Sequence, residues 1–201
     1  MDISYECPLI IVPGGGIFAD QVRNLQKSYT LNEMNAHFMA ILSESLTGYL
    51  IHSLISNSKL ISNINELKFD YWIKDNRSII PILLPFDHFL EFDPLPHSWD
   101  VTSDSIAYYF GSLLNAEKII LIKDVDGLFD DDPKMNTAAN FIEKITALDL
   151  IKLKKKTCVD AYLPILIKER KKPCYLISGL DATRIKKFLK DESVKQTIIF
   201  E

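Results

Sequence analysis

The chain has 201 residues, 47% of them hydrophobic, which suits one domain with a sizeable buried core spanning residues 1–201. A formal net charge of -4 supplies no basic field for neutralising nucleic-acid phosphates, and no run approaches the roughly 18–20 apolar residues of a membrane span, so neither nucleic acid nor membrane is an expected partner. The acids among the first residues do not make a signal peptide, and Cys7, Cys158 and Cys174 lie too far apart for a zinc or redox motif, so reduced thiols in the cytoplasm are the expectation.

Residues 9–12 are a short apolar, β-branched run that stops at Pro13 and three glycines, after which Phe18, Val22 and Leu25 recur at helical spacing to about residue 27. This predicts a strand, a glycine turn and a helix. Residues 31–54 repeat apolar positions every three or four residues (Met34, Phe38, Ile41, Leu42, Leu46, Leu50, Leu54), predicting a long helix packed on a sheet, with Gly48 as the place for a bend. Residues 56–77 are polar and irregular, with a strand candidate over 69–73. Residues 79–84 read as a strand closed by Pro85, and the prolines of 92–98 predict an extended loop. Thr102 or Ser103 caps a helix reaching about 115, and 118–122 is the next buried strand. A loop over 123–137 follows, then a short helix over 147–153, a helix over 159–171, a strand over 174–177, a helix over 181–189 and a last strand over 197–200. Strands alternating with helices imply an α/β fold, a mainly parallel sheet sandwiched by helices in an α/β/α arrangement.

Three segments carry chemistry. The first is Pro13-Gly14-Gly15-Gly16, between a strand and a helix, where glycine lets backbone approach a ligand and the helix start offers N–H groups to an anion. A tight turn is the plain alternative, but three glycines exceed its needs, and the loop is neither a Rossmann nor a Walker pattern. Arg23, two turns on, is either a solvated arginine or a guanidinium for an acidic or phosphorylated substrate. The second segment runs from His97 to Asp104. Capping accounts for one hydroxyl and leaves His97, Trp99, Asp100 and Asp104 as site candidates, since carboxylates beside a phosphate imply a magnesium ion or an ordered lysine. The third, residues 123–134, lies just beyond the carboxyl end of a strand, where ligands of open α/β sheets bind. Its alternating acids resemble the start of a calcium loop, but Met135 stands where that loop needs glutamate, and calcium is not expected.

PGGGIFADQVR, TSDSIA and KDVDGLFDDDPK, in this order and spacing, resemble the amino acid kinases over nearly the whole chain. More narrowly, IVPGGG, AHFMAI, ILLPF, LPHSWDVTSDSIA, KDVDG and TCVDAYLP are similar to the kinases of methanofuran biosynthesis, which phosphorylate a furanmethyl phosphate to a diphosphate. The resemblance implies ATP and Mg2+, with Gly14, Gly15 and Gly16 holding the acceptor and the transferring phosphate, and Asp104 orienting catalytic basic groups. Arg23, His97, Trp99 and Asp100 complete the expected substrate set. The implied nucleotide loop contains Asp124, Gly127, Phe129, Asp132, Pro133 and Lys134, and Lys123 and Asp126 lie in the same segment and are expected to belong to it; no residue is expected to ligate a metal directly. Expected partners are a small-molecule substrate and further copies of this chain. Two departures stand out. The family's N-terminal strand with its Lys-x-Gly-Gly motif is absent from these residues, so the expectation is a start placed too far downstream and weak catalysis by the chain as written. Asp160 also stands where many relatives carry a lysine. A kinase of another small acid or phosphate, and a nucleotide-binding or storage protein without turnover, remain the alternatives.

Overall fold

The computed structural model describes residues 8–68, 79–153 and 155–201, so the strand expected over 69–73 lies outside the described residues. Contacts divide the chain into a unit ending at Ile106 and a second unit, Ala107–Glu201.

In the first unit β1 (Ser58–Ile61) and β2 (Ile80–Leu83) pair in parallel, Ser58 opposite Ile80 through Ile61 opposite Leu83. On the other side of β2 the expected strand over 9–12 contributes one parallel bridge, Ile11 to Ile82. Ile11 N–H donates to Pro81 O at 2.9 Å, and Ile11 O accepts from Leu83 N–H at 2.8 Å. Helix α1 (Gly16–Tyr29) ends at Thr30 in the left-handed region. Asn32 then caps α2 (Glu33–Leu54), its Oδ1 accepting from Asn35 N–H at 2.8 Å, which satisfies one of the helix's otherwise unpaired donors. The long helix predicted over 31–54 is therefore present and runs through a buried Gly48, but the face it buries is Ala36, Ile41, Ser45 and Gly48, and of the expected apolar repeat Met34, Leu42, Leu46, Leu50 and Leu54 are exposed. Short α3 (Asn65–Lys68) and α4 (Phe86–Phe92) complete this unit. Helix α4 was not legible beforehand, although Pro85 suits a helix start because its missing N–H would have had no partner there. Ile41, Ile61, Ile82, Leu83 and Phe89 are fully buried and form the centre of the unit's core.

The unit boundary falls within α5 (Ser103–Leu113), so Thr102 stands one place before the helix and Ser103 is its first residue. The strands that follow are β3 (Ile119–Lys123), β4 (Leu128–Phe129), β5 (Phe141–Ile142), β6 (Lys144–Thr146), β7 (Cys174–Ser178) and β8 (Thr197–Phe200). Four of them form a sheet in the order β3-β7-β8-β6. The β3–β7 and β6–β8 pairs are parallel, and β7–β8 is antiparallel. Helices α6 (Ala147–Lys152), α7 (Leu163–Arg170) and α8 (Ala182–Leu189) accompany it. The helix expected from 159 starts four residues later because Asp160 Oδ1 accepts the Leu163 N–H at 2.8 Å and Pro164 occupies the first turn. Leu128, Leu163, Ile167, Leu176, Ile177 and Ile199 are buried almost completely. Tyr108 is buried too; its hydroxyl donates to Lys172 O at 2.8 Å, and burial pushes the phenol up to about 12. No helix among the described residues is long and apolar enough to cross a membrane.

Candidate functional site

The glycine segment opens α1. Gly16 has φ +51, a conformation costly for residues with a Cβ, and an added Cβ there would meet nothing within 4 Å. Among the described residues no side chain caps α1 and no acid lies in its first turn, so its leading N–H groups remain available to an anion. Gly14 lies against the start of α5: a Cβ on it would stand 3.1 Å from Ser103 Oγ.

A cavity of about 230 Å³ is lined by Gly15, Gly16, Arg23 and Trp99, with Glu33 and Glu44 also in its wall. Helix α1 builds much of it. Arg23 Cζ lies 4.3 Å from the centroid of the Trp99 ring, and Arg23 Nη1 donates to Asp20 Oδ1 at 2.9 Å. One turn on, Gln26 Oε1 accepts the Trp99 indole N–H at 2.5 Å. The guanidinium is thus stacked and partly paired, leaving further N–H groups for an anionic ligand. Glu44, in the cavity wall, is only 4% exposed.

Of the second segment, Ser98, Val101, Thr102 and Ser103 also line that cavity, whereas His97, Asp100 and Asp104 do not. Asp104 is buried in the first turn of α5. Asp100 is exposed, and its N–H donates to Ser98 Oγ at 2.9 Å. His97 Nε2 lies 2.9 and 2.8 Å from the two carboxylate oxygens of Asp93. Its ring stacks on His37, with centroids 4.4 Å apart. His37 lines the cavity, and burial, reinforced by His97 and opposed by Asp93, lowers its pKa to about 4, so the ring is neutral near pH 7.

In the second unit the segment from Lys123 to Lys134 is held through its acids and contains β4, which pairs antiparallel with β5. Lys134 Nζ donates to Asp124 Oδ2 at 2.5 Å and its N–H to Asp132 Oδ1 at 2.9 Å, with Pro133 between them. The Lys134 ammonium holds the Asp124 carboxyl below its ordinary range. Asp126 accepts from Lys195 Nζ at 2.8 Å and from Arg184, and both hold its carboxyl low. Gly127 adopts φ +148, and a Cβ there would lie 2.5 Å from Thr197 Oγ1. That hydroxyl accepts the Leu128 N–H at 2.8 Å and donates to Ile142 O at 2.5 Å. Phe129 packs edge-to-face on Phe141 at 5.4 Å, and Lys195 Nζ lies 4.8 Å from the Phe141 centroid. Lys123 ends β3 opposite Ser178, its carbonyl accepting the Gly179 N–H at 2.7 Å. Lys134 is exposed and is restrained through its ion pair with Asp124.

Gln26, His37, Glu44, Arg184 and Lys195 were not singled out in the sequence. Gln26 and Glu44 do sit one turn from recognisable site or core positions on their helices, whereas Arg184 and Lys195 reach Asp126 from far along the chain and leave no local signal.

Helices beside mainly parallel strands, a glycine-opened cavity and a loop just after a strand are features of a small-molecule kinase, and the family match shows that class. The amino acid kinase family profile matches residues 2–168, and the chain belongs to that family. It is 33% identical over 177 residues to the [5-(aminomethyl)furan-3-yl]methyl phosphate kinase of Methanocaldococcus jannaschii, a match covering 88% of this chain and 76% of that protein. It is 24% identical to the uridylate kinase of Thermococcus kodakarensis, over 90% of this chain and 78% of that one. Among solved structures, UMP kinase from Ureaplasma parvum superposes with a TM-score of 0.76 at 22% identity, covering 99% of this chain and 84% of that one, and supports the fold.

Proposed function

We propose that this protein transfers a phosphoryl group from ATP to a small acceptor carrying both a phosphate and an ammonium, [5-(aminomethyl)furan-3-yl]methyl phosphate being the first choice. The observation that carries this reading is the polarity of the cavity: Arg23 and the Gly15–Gly16 start of α1 favour an anion, while Glu33 and the buried Glu44 favour a cation. A nucleoside monophosphate offers no ammonium for that wall. The 33% identity to a kinase named for this acceptor supports the same choice.

The residues assign themselves roles by chemistry. The α1 amides and Arg23 hold the acceptor phosphate and resist its drift during transfer. Trp99, fixed by Gln26, closes one side of the cavity and limits water. Asp104 orients basic groups around the transferring phosphate, and Lys123, Asp124, Asp126, Gly127, Phe129, Asp132, Pro133 and Lys134 make the nucleotide loop. ATP would rest its phosphates on Lys134. Mg2+ would be carried mainly on phosphate oxygens and water, with Asp124 and Asp132 the carboxylates at hand. Charge on the equatorial oxygens is met by fixed cations and amides, with no covalent enzyme intermediate. A cytoplasmic setting and self-association belong to the same reading. For the latter, Leu42, Leu46, Tyr49 and Leu50 form an exposed stripe on α2, opposite residues it buries.

The test is ADP release with Mg-ATP and the furanmethyl phosphate, with UMP and an analogue lacking the amine in parallel. Glu44→Gln should raise KM for the aminated acceptor about 10-fold or more and leave the amine-free analogue unchanged, whereas Asp104→Asn should lower kcat by roughly 100-fold. Equal use of UMP, or equal effects of Glu44→Gln on both acceptors, would overturn the acceptor assignment.

A further inference from the structure

The first unit brings three side chains from two separated segments to one point. His37, on α2, has a side chain only 5% exposed, and its Nε2 has no hydrogen-bond partner. A buried ring nitrogen ordinarily has one, so this atom needs an explanation. It faces Asp93, whose Oδ1 is 3.6 Å away, beyond hydrogen-bond reach, and its ring lies against that of His97. Asp93 ends α4 in the left-handed region, with φ 43, and directs both carboxylate oxygens to His97 Nε2 at 2.9 and 2.8 Å. A donor atom from each of the three residues falls within 4.8 Å of the others.

We propose that His37 Nε2, His97 Nε2 and the Asp93 carboxylate bind one divalent transition-metal ion of the zinc class, with water completing its coordination on the open side. Tetrahedral bonds of about 2.0–2.1 Å place neighbouring donors about 3.4 Å apart. The 2.8 and 3.6 Å separations bracket that spacing and all three donors lie within 4.8 Å of one another, so side-chain adjustments of about 1–1.5 Å bring them to tetrahedral spacing. Two imidazoles and one carboxylate select zinc, cobalt or nickel over magnesium, which takes oxygen donors in octahedral array. A hydrogen-bonded Asp93–His97 pair alone explains two of the three residues and leaves the His37 nitrogen buried and idle; the ion uses all three. His37 also lines the acceptor cavity, so the ion ties the 93–97 segment to α2 and steadies that wall. The site is independent of the acceptor's identity.

The experiment is titration of the chelator-treated full chain with Zn2+ alone, in millimolar Mg2+, by calorimetry, with Co2+ absorption as a second readout. One equivalent should bind, Co2+ should give visible bands of tetrahedral intensity, and Zn2+ should raise the melting temperature. His97→Ala and Asp93→Asn should each weaken Zn2+ by about 100-fold or more and abolish the bands, while Cys158→Ser changes neither. Their circular dichroism must match the parent, and His37→Gln serves as a third variant. No binding by the folded parent, or unchanged binding in His97→Ala and Asp93→Asn, would overturn the site.

Discussion

Replacing Gly127 by alanine puts a methyl carbon where Thr197 Oγ1 stands, 2.5 Å away, in a backbone conformation of φ +148 that residues with a Cβ rarely adopt. Two costs follow. The backbone strain is about 1–3 kcal/mol. Moving the threonine also disturbs its bonds to Leu128 N–H and Ile142 O, one of them buried, at about 1 kcal/mol each. The expected loss is about 3 kcal/mol, which for a chain of this length lowers the melting temperature by roughly 6–12 °C. Calorimetry or circular dichroism of the parent, Gly127→Ala, Thr197→Ala and the double variant measures it. Because the same hydroxyl is struck by the new methyl and lost in Thr197→Ala, the two changes should be sub-additive by about 1 kcal/mol. A Gly127→Ala protein that melts within about a degree of the parent, or strictly additive losses, would refute the reasoning.

Millimolar Mg-ATP should raise the melting temperature of the parent, with about 2.7 kcal/mol gained at 100 times Kd, and Lys134→Ala should remove most of the shift; an equal shift in both would separate Lys134 from the nucleotide. Asp126 is held low by Lys195 and Arg184, so its folded pKa lies below its unfolded value of 3.8 and its stabilisation is present above that value and lost as the pH falls through the folded one. The urea midpoint of Asp126→Asn should therefore lie below the parent's near pH 7, and the gap should narrow as the pH falls from about 4 through the folded pKa; parallel profiles would count against the pairing. Leu46→Glu combined with Leu50→Glu should convert any oligomer to monomer by light scattering without lowering the melting temperature of the monomer, because both side chains are exposed; an unchanged mass would clear the α2 stripe.

Legibility in the sequence followed the range of the interaction. Helix α2 was readable because its apolar repeat and its own cap at Asn32 are local. The glycine turn was readable because Gly16 needs a conformation the sequence advertises. Strand β1 was not, since Ser58 and Lys59 carry no strand signal and its pairing is decided by β2 some twenty positions on. Strand β4 was hidden inside a polar loop for the same reason: it is held through Thr197, nearly seventy residues away. Of the residues expected at the substrate site, Gly15, Gly16, Arg23 and Trp99 line one cavity, because the first two open α1, the third follows two turns on and the fourth stacks against it. Asp100 and His97 were neighbours in sequence only, because the turn at 98–100 sends one to solvent and the other to Asp93.

At the proposed acceptor site, the stacking of Arg23 on Trp99 would serve as an optical gauge of occupancy. An indole with a guanidinium over its face at 4.3 Å and its N–H bound at 2.5 Å sits in a defined electric field. An anion that draws Arg23 off the ring alters that field, so the emission of Trp99 shifts with ligand. Trp72 is the other tryptophan of the chain, and Trp72→Phe leaves Trp99 as a single, label-free reporter of acceptor binding, separable from turnover.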